Sequence, residues 1–332
     1  MRKKLPKILI TGGAGFIGSA FVRLAVKQGH RPVVIDKLTY AADLARLDEA
    51  KGKFKFYKAD ICDEHKIKRI FRQERPQLVV HFAAESHVDR SILDAKAFIE
   101  TNVLGTHVLL EAAREQGIKN FIHISTDEVY GDIIKGKFAE DSPLSPNSPY
   151  AASKAAADLL IKSYIRTYNL PAIIIRPCNN YGPWQYPEKL IPLAILKILR
   201  GQKVPVYAQG RNIREWVYVE DCAKGILRIL QKGRLGHIYN LGSSEEKQNI
   251  DVVKTILKTL DAPGTMFEFV KDRLGHDIRY SLDSKKAYRQ VNWKPKVRFK
   301  DGIKLTVCWC LGHKDWLSAR WENIAKLYNN WR

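Results

Sequence analysis

The sequence predicts an α/β protein: a parallel sheet doubly wound by helices on both faces, followed by a smaller α/β domain. Three observations predict it. Short, continuous apolar runs alternate with longer amphipathic ones through the first half of the chain. The first run leads straight into a turn with glycines at 12, 15 and 18. Beyond about Pro177 the alternation breaks up, and Pro177, Pro183, Pro187, Pro192 and Pro205 punctuate the chain.

Taken in order, strands are expected at 8–10, 32–35, 54–57, 78–82, 121–124 and 172–175. Most are apolar without alternation, as strands buried on both faces of a parallel sheet are. Helix-length stretches separate them at 15–28, 95–116 and 151–168. This is the Rossmann pattern, and it assigns residues 1–177 to a dinucleotide-binding domain. Helices at 190–199, 220–230 and 252–260 fall in a second domain, 178–332, which would bind substrate. A strand at 239–241 has the character to return to the sheet. Neither an internal repeat nor a low-complexity linker is present.

Composition narrows the classes. A chain of 332 residues that is 45% hydrophobic has core enough for one large or two moderate domains. No apolar run approaches the ~20 residues of a membrane span. The basic start, MRKK, precedes an apolar segment that ends in the glycine turn, so it reads as a first strand and not as a signal peptide. The expected location is the cytoplasm. Cys62, Cys178, Cys222, Cys308 and Cys310 are scattered and form no Cys-x-x-Cys, so neither a disulfide framework nor a metal site is expected. The net charge of +21 is spread along the chain without a long run or a nucleic-acid motif. It is read as a solvated basic surface, consistent with an anionic small substrate and not with nucleic acid.

The glycine turn carries the first chemistry. In Thr11-Gly12-Gly13-Ala14-Gly15-Phe16-Ile17-Gly18 the first glycine permits a tight turn, the second a close approach to a pyrophosphate, and the third close helix–strand packing. The helix that follows offers free N–H groups and the positive end of its dipole to the phosphates. Asp36 ends the second strand about 20 residues on, where a carboxylate accepts from adenosine ribose hydroxyls and repels a 2′-phosphate. NAD is therefore expected over NADP.

The second chemistry lies near 125 and 150. Ser125-Thr126 ends a strand, and Tyr150 and Lys154 share one face of a helix opened by Pro149. An ammonium beside a phenol lowers its pKa from about 10 toward neutrality, which suits Tyr150 to take a proton from a sugar hydroxyl. Such machinery fits a redox enzyme or an epimerase. Asp127-Glu128 directly after Thr126 discriminates. Dehydration needs an acid for the leaving hydroxyl and a base for a carbon-bound proton, and adjacent carboxylates split their pKa values for two such tasks. A solvated acidic loop is the plainer alternative.

With these residues in place, the chain resembles the dTDP-glucose 4,6-dehydratase family of the extended short-chain dehydrogenase/reductase superfamily. The resemblance runs over almost the whole length. It rests on TGGAGFIGS, VVIDKLTYA, FAAESHVDRSI, STDEVYG, SPYAASKAAAD, RPCNNYGPWQYPEKLIP, NIREWVYVED and DRLGHDIRY, in that order. It implies a three-step reaction. Tyr150, with Thr126 and Lys154, takes the C4 hydroxyl proton while C4 is oxidised by NAD. Glu128 then removes the C5 proton as Asp127 protonates the departing C6 hydroxyl. Reduction at C6 regenerates the cofactor and leaves a 4-keto-6-deoxy sugar.

The resemblance also implies site residues. Cofactor contacts fall to Gly12, Gly15, Phe16, Ile17, Gly18, Asp36, Lys37, Leu38, Thr39, Asp60, Ile61, Phe82, Ala83, Ala84, Ser86, Thr101, Tyr150, Lys154 and Asn180. The sugar nucleotide falls to Ser86, Thr126, Asn179, Glu188, Lys189, Leu190, Pro205, Val206, Tyr207, Arg214, Asn249, Arg273, His276 and Tyr280, with Arg214 and Arg273 suited to the diphosphate. Three departures surround the nucleotide end. Leu274 replaces the proline of Arg-Pro-Gly-His, Ala208-Gln209 replaces Gly-Asp, and Cys222 replaces a histidine. They leave UDP-glucose open as an alternative carrier, and a nucleotide-sugar 4-epimerase shares Tyr150 and Lys154. A homodimer through a four-helix bundle is implied, from 95–116 and 151–168. Val103, Leu109, Leu110, Leu159 and Leu160 there would equally suit an intramolecular core.

Overall fold

The computed structural model describes residues 5–329. Its centre is a seven-stranded sheet. The strands are β1 (Ile8–Thr11), β2 (Val33–Asp36), β3 (Lys55–Lys58), β4 (Leu78–His81), β5 (Asn120–Ile124), β6 (Ala172–Pro177) and, far along the chain, Ile238–Leu241. Every pairing is parallel. Successive residues point to opposite faces, and both faces are covered. Ile8, Ile10, Val34, Val80 and Ile122 pack toward helices Phe16–Lys27 and Val219–Lys232. Leu9, Val33, Ile35, Val79 and Phe121 pack toward Glu64–Glu74, Gly105–Gln116 and Pro149–Tyr168. That double burial is why the inner strands are largely apolar, whereas the edge strand β3 has an exposed lysine at each end.

The expected helix at 95–116 is not uniform. It comprises a turn at Lys96–Phe98, a π-helical stretch Ile99–Leu104 and the α-helix Gly105–Gln116. The wider π turn brings Thr101 to the wall of a cavity and buries Asn102. Helix Glu64–Glu74 was not expected. It is strongly polar and buries only Ile67, Ile70, Phe71 and Glu74.

The smaller part of the molecule has its own core, in which Ile191, Ala194, Ile195, Val204, Val253, Ile256 and Ile303 are buried together. It holds β7 (Asn179–Tyr181), β8 (Val204–Tyr207), β9 (Ile213–Tyr218), then, after β10 (Ile238–Leu241) in the large sheet, β11 (Glu246–Gln248) and β12 (Phe267–Val270). These form the short sheets β11-β9-β7 and β12-β8. No helix among the described residues is long and apolar enough to cross a membrane. All five cysteines are free thiols.

In the large sheet β1 lies between β2 and β4, so chain order reverses beside it. In a doubly wound sheet a crevice opens outside the carboxyl ends of the strands at that reversal. The glycine turn follows β1, Asp36 ends β2, Phe82 follows β4 and Ser125 follows β5.

Candidate active site

The turn after β1 is a cradle of bare backbone. Gly12 has φ +68°, and a Cβ there would lie 2.5 Å from the Ala83 nitrogen. A Cβ on Gly18 would lie 2.2 Å from the Gly12 carbonyl oxygen. Gly15 caps helix Phe16–Lys27 with no side-chain hydrogen bond, so the first helical N–H groups face the crevice. These are the requirements of a dinucleotide pyrophosphate, and the residues present fit it. Asp36 is buried; its Oδ2 accepts from Ala14 N at 2.9 Å and its Oδ1 from Leu38 N at 2.8 Å. It thus braces the glycine turn as well as ending β2, with lone pairs remaining for a further donor. Burial pushes its pKa up.

A cavity of about 310 Å³ occupies this crevice. Among the residues expected to hold the cofactor, Leu38 departs. It adopts φ 60°, gives its N–H to Asp36 and does not line the cavity. All the others line it. Lys37 Nζ and Asp60 Oδ2 pair at 2.6 Å. Buried Asn102 clamps the loop before Ser86. It accepts from Glu85 N at 2.9 Å and donates to Glu85 O at 3.0 Å and Ser153 Oγ at 2.8 Å.

Thr126, Asp127, Glu128, Tyr150 and Lys154 line the same cavity. Thr126 caps the turn Asp127–Tyr130. Its hydroxyl accepts from Glu128 N at 3.3 Å and donates to Asp127 Oδ1 at 3.2 Å. Asp127 is 2% exposed, and its Oδ2 is buried without a partner among the described residues. Burial, then the Glu128 and Glu215 carboxylates, push Asp127 well above the usual carboxylate range. Burial also raises Glu128, but Arg273, Arg214 and Lys189 pull it back. The two carboxyls are therefore inequivalent, and the proton is held more tightly at Asp127.

Ser148 starts the helix that carries Tyr150 by accepting from Ala151 N at 3.1 Å, with Pro149 in its first turn. Lys154 is buried and donates to Ile124 O at 2.8 Å and contacts His123 Nε2 at 3.3 Å. Burial lowers it to about 8, against the opposing charge of Asp158. The expectation that Lys154 depresses the Tyr150 pKa is corrected. Burial of the phenol, together with Glu128, raises it. Desolvation and a nearby anion both disfavour phenolate here, and the Lys154 ammonium is engaged elsewhere.

A second cavity of about 1020 Å³ adjoins the first. Asn179, Glu188, Lys189, Leu190, Pro205, Val206, Tyr207, Arg214, Asn249, Arg273, His276 and Tyr280 all line it, whereas Ser86 and Thr126 face only the first. Glu128, Asn179, Asn180, Gln185, Glu188 and Lys189 line both, which puts Glu128 at the junction. The Arg214 guanidinium lies 4.3 Å from the Tyr280 ring centroid and donates to the carbonyls of Ile213 and Asp277, both at 2.8 Å. Burial, with Arg273 and Arg214, lowers His276 to about 4, so its ring is neutral near pH 7. Buried side-chain oxygens of Asn179, Asn180, Gln185 and Asn249 have no partner among the described residues, which suits a ligand rich in donors. Of the three departures, Leu274 lines this cavity, Cys222 is buried in the core and Ala208 takes φ 48°.

Sequence reasoning named Glu188 but missed the residues that hold it, Tyr40 and Arg90, and two that line the second cavity, Asp89 and Trp321. Glu188 accepts from Tyr40 OH at 2.9 Å and Arg90 Nε at 3.4 Å, which ties the loop after β2 to the junction. Asp89 contacts Arg273 and Tyr207. Tyr40, Asp89 and Arg90 stand inside the quoted motifs, but nothing in a linear string says which way they point. Trp321, on helix Trp321–Asn329, lines the second cavity from the far end of the chain and carried no local signal.

Crevice, cradle and the Tyr150/Lys154 pair define an extended short-chain dehydrogenase/reductase. Within that class, residues 9–306 match the family model described as GDP-mannose 4,6 dehydratase. The chain belongs to that family. It is 46% identical to the dTDP-glucose 4,6-dehydratase of Neisseria meningitidis serogroup B, over 96% of this chain and 96% of that protein. It is 46% identical to the dTDP-glucose 4,6-dehydratase of Streptomyces venezuelae, whose crystal structure was determined with NAD bound. That superposition has a TM-score of 0.91 and covers 93% of this chain and 98% of that one. A UDP-glucose 4-epimerase from Thermotoga maritima shares the fold at 31% identity and a TM-score of 0.87, covering 92% and 99% of the two chains.

Proposed function

We infer that the protein dehydrates dTDP-glucose to dTDP-4-keto-6-deoxy-glucose, with NAD held through the whole cycle. The observation that carries this reading is the unequal Asp127–Glu128 pair beside Thr126, Tyr150 and Lys154, where the two cavities meet. An epimerase returns the sugar's atoms unchanged and has no use for a separate acid and base. The curated relatives at 45–47% identity are named dTDP-glucose 4,6-dehydratases.

Gly12, Gly15 and Gly18 would hold the NAD pyrophosphate, and Asp36 the adenosine ribose. When bound, NAD would supply the reversible redox capacity for oxidation at C4 and reduction at C6. Tyr150 takes the C4 hydroxyl proton, with Thr126 holding the same oxygen. The Lys154 ammonium, fixed by Ile124 O, offsets the charge that develops on the phenol. The C4 ketone acidifies the C5 proton. Glu128, drawn toward ionisation by Arg273, Arg214 and Lys189, removes it. Asp127, which keeps its proton to higher pH, gives it to the departing C6 hydroxyl. Arg214 and Arg273 hold the diphosphate, and the second cavity holds the nucleotide.

The test is direct. The protein is incubated with dTDP-glucose, and the product is read by its alkaline absorbance and by the mass of one water lost. Conversion to dTDP-galactose, or no reaction with either dTDP- or UDP-glucose, overturns the reading. We further propose residues 1–177, with β10, as the cofactor domain and 178–332 as the sugar-nucleotide domain. The protein works as a homodimer in the cytoplasm. The free thiols suit a reducing compartment. The exposed side chains of Leu104 and Leu159 suit a helical interface.

A further inference from the structure

We propose that Asp89 is a positioning residue for the diphosphate, fixing Arg273 and Tyr207 in the wall of the second cavity; the inference rests on reading that cavity as the sugar-nucleotide site. Asp89 lies on helix Val88–Leu93, is 4% exposed, and lines the cavity. A carboxylate in the wall of a diphosphate site repels its ligand unless its charge is taken up by neighbours. Here both oxygens are occupied. Oδ1 accepts from Arg273 Nη1 at 3.1 Å, and Oδ2 accepts from the Tyr207 hydroxyl at 3.2 Å. The two donors come from different parts of the fold. Tyr207 ends β8, and Arg273 lies in the segment after β12. One carboxylate thus ties three segments together around the cavity.

The state of Arg273 gives the arrangement its direction. Its Nε is buried and has no acceptor among the described residues. A guanidinium is a rigid fork, so holding Nη1 at Asp89 fixes where the Nε edge points. A buried N–H without an acceptor is costly, and a phosphate oxygen is the acceptor that a guanidinium edge fits best. Burial opposes the charge on Arg273, but Asp89 and Glu128 outweigh it, so the cation is kept. Tyr207 is fixed in turn, and its ring meets the His276 ring edge-on with centroids 6.0 Å apart. Asp89 therefore touches no reacting atom. It acts through the two side chains that it holds.

The test uses NAD-loaded protein and thymidine diphosphate, titrated by calorimetry against wild type, Asp89→Asn, Arg273→Ala and the double variant. Asp89→Asn is expected to weaken binding by about tenfold, the loss of one charged hydrogen bond. The double variant is expected to lose less than the sum of the two single losses, because Asp89 works in part through Arg273. In turnover, Asp89→Asn raises KM for dTDP-glucose and leaves kcat within about twofold, and Asp89→Glu restores part of the loss. A merely structural role predicts additive losses and a fall in kcat instead. Tyr207→Phe, which leaves the carboxylate in place, weakens binding in the same direction. Unchanged affinity in both Asp89→Asn and Tyr207→Phe, or additivity in the double variant, overturns the proposal while leaving the dehydratase reading intact. Wild-type protein that does not bind thymidine diphosphate overturns both.

Discussion

At the scale of single residues, the site's chemistry turns on two carboxyls that the fold treats differently. Asp127 is raised by burial and by its neighbour, whereas Glu128 faces three cations. A consequence for stability follows. Because the folded-state pKa of Asp127 lies above its unfolded value, folding favours its protonated form. Its contribution is intact below the ordinary carboxylate pKa and is lost as pH rises toward the folded value. The loss runs at about 1.4 kcal/mol per pH unit within that window. Asp127→Asn does not titrate, so the variant should gain stability over wild type between about pH 4 and pH 7. Urea unfolding at the two pH values checks this, and an equal difference at both would contradict it. The roles separate in a second experiment. Glu128→Gln should cut net dehydration by about 10²–10⁴, the usual worth of a general base, while dTDP-glucose still reduces bound NAD. The near-ultraviolet absorbance of reduced nicotinamide reports the second half. Normal turnover in that variant removes Glu128 as the C5 base.

At the scale of elements, the turn that joins β1 to its helix is the most constrained piece of the molecule. Gly18→Ala puts a Cβ 2.2 Å from the Gly12 carbonyl oxygen, and neither backbone can yield without opening the cradle. The variant should purify with little NAD and lose about 1–3 kcal/mol of stability. Cofactor content after denaturation and an unfolding curve measure the two effects. A variant with full NAD content would show that the third glycine is not needed for packing. This element was legible in the sequence because strand, glycines and helix follow one another without interruption. Others were not, for identifiable reasons. Helix Glu64–Glu74 has seven charged residues or histidine among its eleven, and its buried face is narrow. The π turn Ile99–Leu104 contains neither proline nor glycine and is set by packing against Pro149–Tyr168. The pairs β11-β9 and β12-β8 join segments remote in the chain, and no local pattern specifies them. The Tyr150 pKa was misjudged because sequence spacing places an ammonium near a phenol but says nothing of the Glu128 carboxylate beside it.

At the scale of the whole molecule, the sequence named five of the six residues that line both cavities, Glu128, Asn179, Asn180, Glu188 and Lys189, but not what holds that junction together. That junction depends on Glu188, which meets Tyr40 from one end of the chain and Arg90 from another stretch. Nor did the sequence divide the apolar residues of the two long helices between core and interface. The structure makes that division. Leu109 and Leu110 are fully buried against the sheet, whereas Leu104 is 50% and Leu159 55% exposed. Large apolar side chains left outside the core, on helices that pack against each other, are expected to be covered by a second copy. A stable two-fold interface buries roughly 800 Å² on each partner, and charged groups are depleted from its centre. A glutamate at Leu159 would meet its own symmetry mate or an apolar neighbour there, at a cost of several kcal/mol. Leu159→Glu, combined with Leu104→Glu, should therefore sediment as a monomer while keeping the wild-type circular dichroism, since neither residue packs in the core. Wild-type protein should sediment as a dimer at the same concentration. If wild type is itself monomeric, the exposed leucines do not mark a subunit interface. If the double variant remains dimeric, the two chains meet on some other face.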